Sequence, residues 1–213
     1  LQDWGIAGVG ADMIQSRPLR EFAGLLQPCG FNRGAFLACY GLAESCLAVS
    51  FSELGRGLQV EHCNKGLLSE SGIASPSEND CQEDTSEFVK CGKPLPGLQV
   101  QVCDGNGRKM DKRHCGTLYV KGPSVMQGYA DQPLETRNTL SAQGWLDTGD
   151  LAYITEDGEI VIAGRNNEML LINGKNIWPQ DLEAVAVQNS GVGPGMPLHF
   201  PSPMQAAGKP QWS

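Results

Sequence analysis

The chain is short of positive charge. Lys and Arg together number 16 against 24 Asp and Glu, for a formal net charge of -8. Nucleic acid and anionic membrane surfaces both select a basic face, so neither is an expected partner. Long apolar runs are also missing. None approaches the roughly 20 residues that cross a bilayer, and no transmembrane segment is expected. Leu1 is not an initiator and nothing near it has the charged start and apolar centre of a signal peptide, so the true start is expected upstream. Eight cysteines are present, yet no two stand as Cys-x-x-Cys, and their scatter suits neither a zinc site nor a compact disulfide framework. His62-Cys63 and His114-Cys115 are therefore not read as metal ligands. Cys39 and Cys46 sit in apolar runs and read as small buried hydrophobes. Eight unpaired thiols fit a reducing compartment, and the cytoplasm is the expected location.

What is there reads as mixed α/β. Residues 5–9 predict a short buried strand. Ser16-Arg17-Pro18 predicts a helix start, with Ser16 as cap and Pro18 in the first turn. Leu19, Phe22, Ala23 and Leu26 then share one helical face, and Pro28 and Gly30 stop the helix. An apolar run from Phe36 predicts a buried strand ending at Tyr40. Strand, helix, strand is the unit of a parallel sheet with its site at the strand ends. Residues 66–89 carry acids and serines but no Lys or Arg, the signature of a solvated loop. Beyond them strands dominate: residues 98–102 alternate, Asp104-Gly105-Asn106-Gly107 turns, and residues 117–120 form the next strand. Gly92-Lys93-Pro94-Leu95-Pro96-Gly97 reads as a turn and not as a phosphate loop, and Gly122-Pro123 and Gly128-Tyr129 mark further loops. Residues 188–213, rich in Gly, Pro, Ser and Gln, predict a disordered tail.

The residues that bear on chemistry form two constellations. Asp150 closes Gly144-Trp-Leu-Asp-Thr-Gly-Asp150, fifteen positions before Arg165 in Gly164-Arg165. Between them, two apolar runs flank Glu156-Asp157-Gly158, a hairpin signal. A hairpin would bring Asp150, in one glycine turn, beside Arg165 in another. A carboxylate there can accept two hydroxyl protons of a sugar, and a guanidinium can reach an anion; the other reading is a surface ion pair. The second constellation is Tyr40-Gly41-Leu42-Ala43-Glu44. Tyr40 offers a flat face to a purine or belongs to the core. Gly41 permits a turn or close approach to a ligand. Glu44 can bind magnesium through oxygen or is a solvated acid.

Together these motifs resemble the adenylate-forming, AMP-binding superfamily. Tyr40 to Glu44 is similar to its Tyr-Gly-x-Thr/Ala-Glu motif, Trp145 to Asp150 to its Thr-Gly-Asp motif, and Gly164-Arg165 through Glu183 to its hinge motif. The run from Ala43 to Phe51 and Asn176-Ile-Trp-Pro-Gln-Asp-Leu-Glu183 resemble the fatty acyl-AMP ligase branch most closely. The resemblance covers about residues 1–185 and implies an internal fragment, or a truncated product with an unrelated end. It implies an α/β fold: the C-terminal part of the large adenylation domain, a parallel sheet with helices, plus a small β-rich subdomain. The implied divisions are residues 1–65 in the α/β part, 66–89 an acidic loop or the insertion of that branch, 90–165 the β-rich part with the ribose hairpin, 166–185 the hinge and start of a C-terminal domain, and 186–213 the tail.

The resemblance also implies roles. Tyr40 would stack on adenine. Gly10, Ala11 and Asp12, within Gly8-Val-Gly-Ala-Asp12, would contact adenine, with Gly41 close by. Asp150 would take the ribose hydroxyls with Arg165 near ribose or phosphate. Glu44, the catalytic acid of the set, would bind Mg2+. Asn167 falls at the hinge, where the superfamily has aspartate or lysine, so domain rotation is in question. Two parts are missing from the 213 residues: the Ser/Thr/Gly-rich loop with a lysine that would precede Tyr40, and the lysine of a mobile C-terminal domain. The implied activity consumes ATP and a fatty acid and passes the acyl group to an acyl carrier protein or a polyketide synthase carrier domain. Coenzyme A as acceptor, as in an acyl-CoA synthetase, and a non-catalytic nucleotide-binding module remain alternatives.

Overall fold

The computed structural model describes residues 1–77 and 84–166, and the backbone of 170–172 and 175–177. Strand β1 (Ala7–Val9) leads to helix α1 (Ser16–Leu26), which returns the chain to β2 (Phe36–Tyr40), parallel to β1 with Ala7 opposite Phe36. The alternation of β2 buries Phe36, Ala38 and Tyr40 on one side. Ala23 of α1 packs on Phe31, Ala35 and Phe36, with Leu19 and Leu26 around them. The helix gives way to a 3-10 turn, Gln27–Cys29, and Gly30 closes it at φ +85, a left-handed conformation open to glycine.

Several expectations are corrected. Residues 5–9 are not a buried strand: β1 holds three residues, lies at a sheet edge, and exposes Gly8. Ser16 is not the cap. Gln15 precedes the helix without a side-chain bond, while Ser16 is already helical, buried, and leaves its Oγ unpartnered. The sheet is mixed rather than parallel. After Tyr40 the chain makes a 3-10 turn, Ala43–Ser45, and comes straight back as β3 (Ser50–Phe51), and a connection that short forces an antiparallel neighbour. Cys46 lies on that turn in a left-handed conformation and is exposed, and Cys39 is half-buried; neither is a core hydrophobe.

The segment 66–89 is not simply a loop. Strand β4 (Val60–Asn64) runs into helix α2 (Lys65–Ser71), capped by the Asn64 side chain accepting from the Leu67 N–H. Strand β5 (Thr85–Val89) pairs antiparallel with β4. Its one acid, Glu87, is exposed, while Phe88 and Val89 are buried, apolar contacts that composition alone concealed. The glycine-proline run after it contains β6 (Lys93–Pro94), which completes the first sheet against β3 in the order β1-β2-β3-β6.

The strand-rich part matches its pattern. Strands β7 (Gln99–Cys103), β8 (Gly116–Lys121), β9 (Leu146–Ile154) and β10 (Ile160–Arg165) form an antiparallel sheet ordered β10-β9-β8-β7. A short helix, α3 (Pro133–Thr139), interrupts the path from β8 to β9. A backbone ladder pairs β11 (Leu170–Ile172) with β12 (Lys175–Ile177). Asn167, expected at a hinge, and the expected tail 186–213 lie outside the described residues. One apolar cluster joins the two sheets: Tyr40 of the first, and Val49 just before β3, pack with Leu118, Val120, Ala152 and Ile160 of the second. That junction fixes where the end of β2 stands relative to the β9–β10 hairpin.

Candidate nucleotide site

The hairpin forms as the Asp-Gly signal predicts, with Asp150 directly opposite Arg165 across the β9–β10 ladder. Asp150 is not in a turn, however. It lies inside β9, just after Gly149, whose φ of +70 breaks the strand's regular twist. Local bonds hold the distortion: the Gly149 N–H donates to Asp147 Oδ1, the Asp150 N–H donates to Thr148 Oγ1, and Thr148 Oγ1 donates to the Leu118 carbonyl. The Asn166 N–H bonds the Gly149 carbonyl at 2.9 Å and draws the outer end of β10 onto the same spot.

Asp150 is gripped from two sides. Tyr40 Oη donates to Asp150 Oδ2 at 2.6 Å, and Arg165 Nε lies 3.2 Å from Oδ1. The partners are unequal: the Arg165 side chain is 65% exposed, whereas Tyr40 is 9% exposed and shares Asp150's dry surroundings. Burial pushes the Asp150 carboxyl above its ordinary range, although Tyr40 and Arg165 both pull it down. Burial, followed by the facing carboxylate, also drives the Tyr40 phenol upward, so it remains a donor at any physiological pH.

These side chains open onto a cleft of about 290 Å³. Ala11 and Asp12 come from the loop after β1, Tyr40 and Gly41 from the end of β2, and Asp150 and Arg165 from the hairpin. Phe88 of β5 forms a further wall. Ala11 takes a left-handed φ of +71, uncommon for a residue with a Cβ, and Asp12 Oδ1 accepts from the Met13 N–H at 2.7 Å. Gly10 is not among the cleft residues. Its own Cβ would stand 2.6 Å from Cys39 Sγ, so glycine is needed there for close packing against β2. Gly41 has the same need more sharply, since a Cβ would fall 1.5 Å from the Leu47 carbonyl oxygen.

Glu44 stands aside from the cleft lining, on the 3-10 turn after Gly41. Tyr129 Oη donates to its Oε1 at 2.8 Å, and the Met126 N–H donates to its carbonyl at 2.8 Å. Ser45 Oγ meets Ser124 Oγ at 3.1 Å, so the 122–132 loop is pinned over the turn. That bond to Glu44 raises the Tyr129 phenol. Among the described residues no three His, Cys, Asp or Glu gather as a metal cage. A single carboxylate still suits a magnesium ion that takes its other oxygens from phosphate and water. The sequence reading missed Tyr129, Phe88 and Thr148. Tyr129 served only as a loop marker, Phe88 lay in a segment read as loop, and Thr148 stood in the Thr-Gly-Asp motif without a role of its own.

Two motifs 110 positions apart thus meet at one carboxylate beside a cleft. The family described as AMP-binding enzyme matches residues 4–130. The chain belongs to the AMP-binding enzyme family. A protein of Caulobacter vibrioides named "Putative acyl-CoA synthetase" is 42% identical over 186 residues, covering 87% of this chain and 32% of the relative. A medium-chain-fatty-acid–[acyl-carrier-protein] ligase of Moorena producens is 31% identical, covering 86% of this chain and 32% of the relative. Among solved structures, one from a study of fatty acyl-adenylate ligases of E. coli and L. pneumophila superposes with a TM-score of 0.81 at 37% identity, covering 89% of this chain and 34% of that one. The likeness bears out the α/β architecture. The chain spans about a third of the length of these relatives.

Proposed function

We propose that this chain is the adenosine-binding part of an adenylate-forming ligase that activates a fatty acid with ATP and delivers the acyl group to a carrier-protein thiol. The observation that carries the reading is the buried Asp150, anchored by Tyr40 and Arg165 at the edge of a cleft. An ionised carboxylate with a free lone pair on each oxygen suits the two hydroxyls of ribose. Ala11, Asp12 and the ring of Tyr40 bound the space beside it, where adenine would lie.

In the complete reaction a carboxylate oxygen attacks the α-phosphorus of ATP, the bond to the β-phosphate oxygen breaks, and pyrophosphate leaves. Attack of a thiolate on the acyl carbon then expels AMP. This chain's residues bind and orient the nucleoside so that the α-phosphate is presented to the acid. Glu44 would hold Mg2+ together with phosphate oxygens, and the ion would offset charge on the departing pyrophosphate. The name of the Moorena relative supports an acyl carrier protein as acceptor. The Caulobacter relative, with the higher identity, favours coenzyme A as a second reading.

The test uses the full-length protein. Fatty-acid-dependent ATP–pyrophosphate exchange should appear, and Asp150→Asn should lower it roughly tenfold to a hundredfold, the range for a charged hydrogen bond. Acyl transfer to a holo carrier protein but not to coenzyme A supports the first acceptor; the reverse supports the second. Exchange that is indifferent to Asp150→Asn sinks the ribose assignment.

A further inference from the structure

Tyr40 has a flat ring and a hydroxyl, and the hydroxyl already has a partner. We infer that Tyr40 is a positioning residue for sugar recognition: its hydroxyl sets the plane of the Asp150 carboxylate so that the acid discriminates a ribose cis-diol from a sugar lacking it. The inference rests on the nucleotide reading proposed above, and assigns Tyr40 a task separate from contact with the base.

A carboxylate turns about its terminal bond with little resistance, because that torsion has broad wells. One anchor leaves it free to swing about that anchor; two anchors on different oxygens define its plane. In this site Tyr40 Oη bonds Oδ2 at 2.6 Å and Arg165 Nε approaches Oδ1 at 3.2 Å. Each oxygen keeps one further lone pair, and two acceptors held in a fixed plane match two adjacent hydroxyls. Arg165 is a weak anchor because it is mostly solvated and its charge is screened. Tyr40 is the strong one. It is buried, its distance is that of a charge-assisted bond, and its backbone is locked at the end of β2. Thr148 accepts from the Asp150 N–H and so holds the backbone of the same residue. The acid thus has a fixed backbone and a fixed carboxylate plane before any ligand arrives, and preorganisation of that kind saves ordering entropy on binding.

The ring and the hydroxyl are separable by Tyr40→Phe, which keeps the flat face and the packing. The probes are AMP and 2′,3′-dideoxy-AMP, titrated by calorimetry into the 213-residue chain and its variants. The parent should prefer AMP by at least tenfold. Tyr40→Phe should weaken AMP by roughly tenfold, leave dideoxy-AMP within about twofold, and so erase most of the preference. In the Asp150→Asn background it should cost nothing more, because the two residues act as one unit. A carboxyl-carbon NMR titration should show Asp150 taking its proton at higher pH in Tyr40→Phe. Equal weakening of both nucleotides would show that the residue acts on the base or on packing alone and would overturn the inference. So would an unchanged AMP affinity. A parent that binds the two nucleotides equally, or binds neither, removes the ribose assignment itself. The variants thus test the inference, and the parent tests the reading beneath it.

Discussion

Asp150 is under two opposing demands. Its burial favours the neutral acid, whereas the ribose role proposed for it requires the anion. The carboxyl therefore titrates above the usual carboxylate range, and two consequences follow with definite signs. AMP affinity should decline on acidification from a higher pH than an ordinary aspartate would set, and the decline should vanish in Asp150→Asn; calorimetry across pH measures it. For folding, a carboxyl with a raised folded-state pKa stabilises the fold fully below its unfolded value and loses that contribution as pH rises through the folded one. The stability of the parent relative to Asp150→Asn should thus improve as pH falls across that window, read by thermal unfolding. Gly41 is constrained by space rather than by charge. Gly41→Ala drives a Cβ to 1.5 Å from the Leu47 oxygen, and both flanking segments are backbone. The loss should be about 3 kcal/mol, the upper part of the range for overpacking, measured by denaturant titration.

Among elements, the β4–β5 ribbon and the β9–β10 hairpin must keep their mutual position, since Phe88 of one and Asp150 of the other line the same cleft. A buried polar network joins them. Glu61 of β4 accepts from Arg113 at 2.7 Å through Oε1 and from Tyr153 of β9 at 3.1 Å through Oε2. Arg113 also donates to the Ala74 carbonyl, and Cys63 Sγ meets Tyr153 Oη at 3.3 Å. Burial works against the Arg113 charge, but the Glu61 bond and charge outweigh it and raise the guanidinium further. Removing one member strands the other's charge. Arg113→Met should cost about 3 kcal/mol in a denaturant titration, the low end for breaking a buried pair, because Arg113 keeps some solvent. The two elements differed in legibility. The hairpin was readable because Asp157-Gly158 separates two apolar alternating runs, a local signal. The ribbon was not, because the polar positions of β5 hid a strand whose partner lies more than twenty residues away, and pairing of that range leaves no local mark. Ser16 misled for a related reason: a helix start is written in its sequence, but which residue turns inward depends on packing. Tyr40, Asp150 and Arg165 were legible as motif residues; that Tyr40 and Asp150 touch was not.

Over the whole molecule, the cleft exists because two sheets share a core. Tyr40 belongs to the first sheet and shares an apolar cluster with Leu118, Ala152 and Ile160 of the second, so Tyr40 and the β9–β10 hairpin are mutually fixed. The electrostatic balance pulls the other way for phosphate. The net charge is -8, Glu44 lies close enough to bias Asp150, and Arg165 is the cation that lines the cleft. No lysine-bearing Ser/Thr/Gly loop precedes Tyr40 in the 213 residues. On the proposed reading binding energy should reside in the nucleoside, since among the described residues no cation besides Arg165 lines the cleft to match an added phosphate. AMP and ATP should bind the isolated chain within about threefold of each other in calorimetry with Mg2+ present, and carboxylate-dependent pyrophosphate release should be absent, since each charge-stabilising donor that is lost costs several kcal/mol of barrier. ATP binding more than tenfold tighter than AMP would mean that a phosphate grip is present after all, built from cations other than the missing loop. Arg165→Gln would then locate it: a loss confined to ATP would move that guanidinium from the carboxylate of Asp150 to the phosphates.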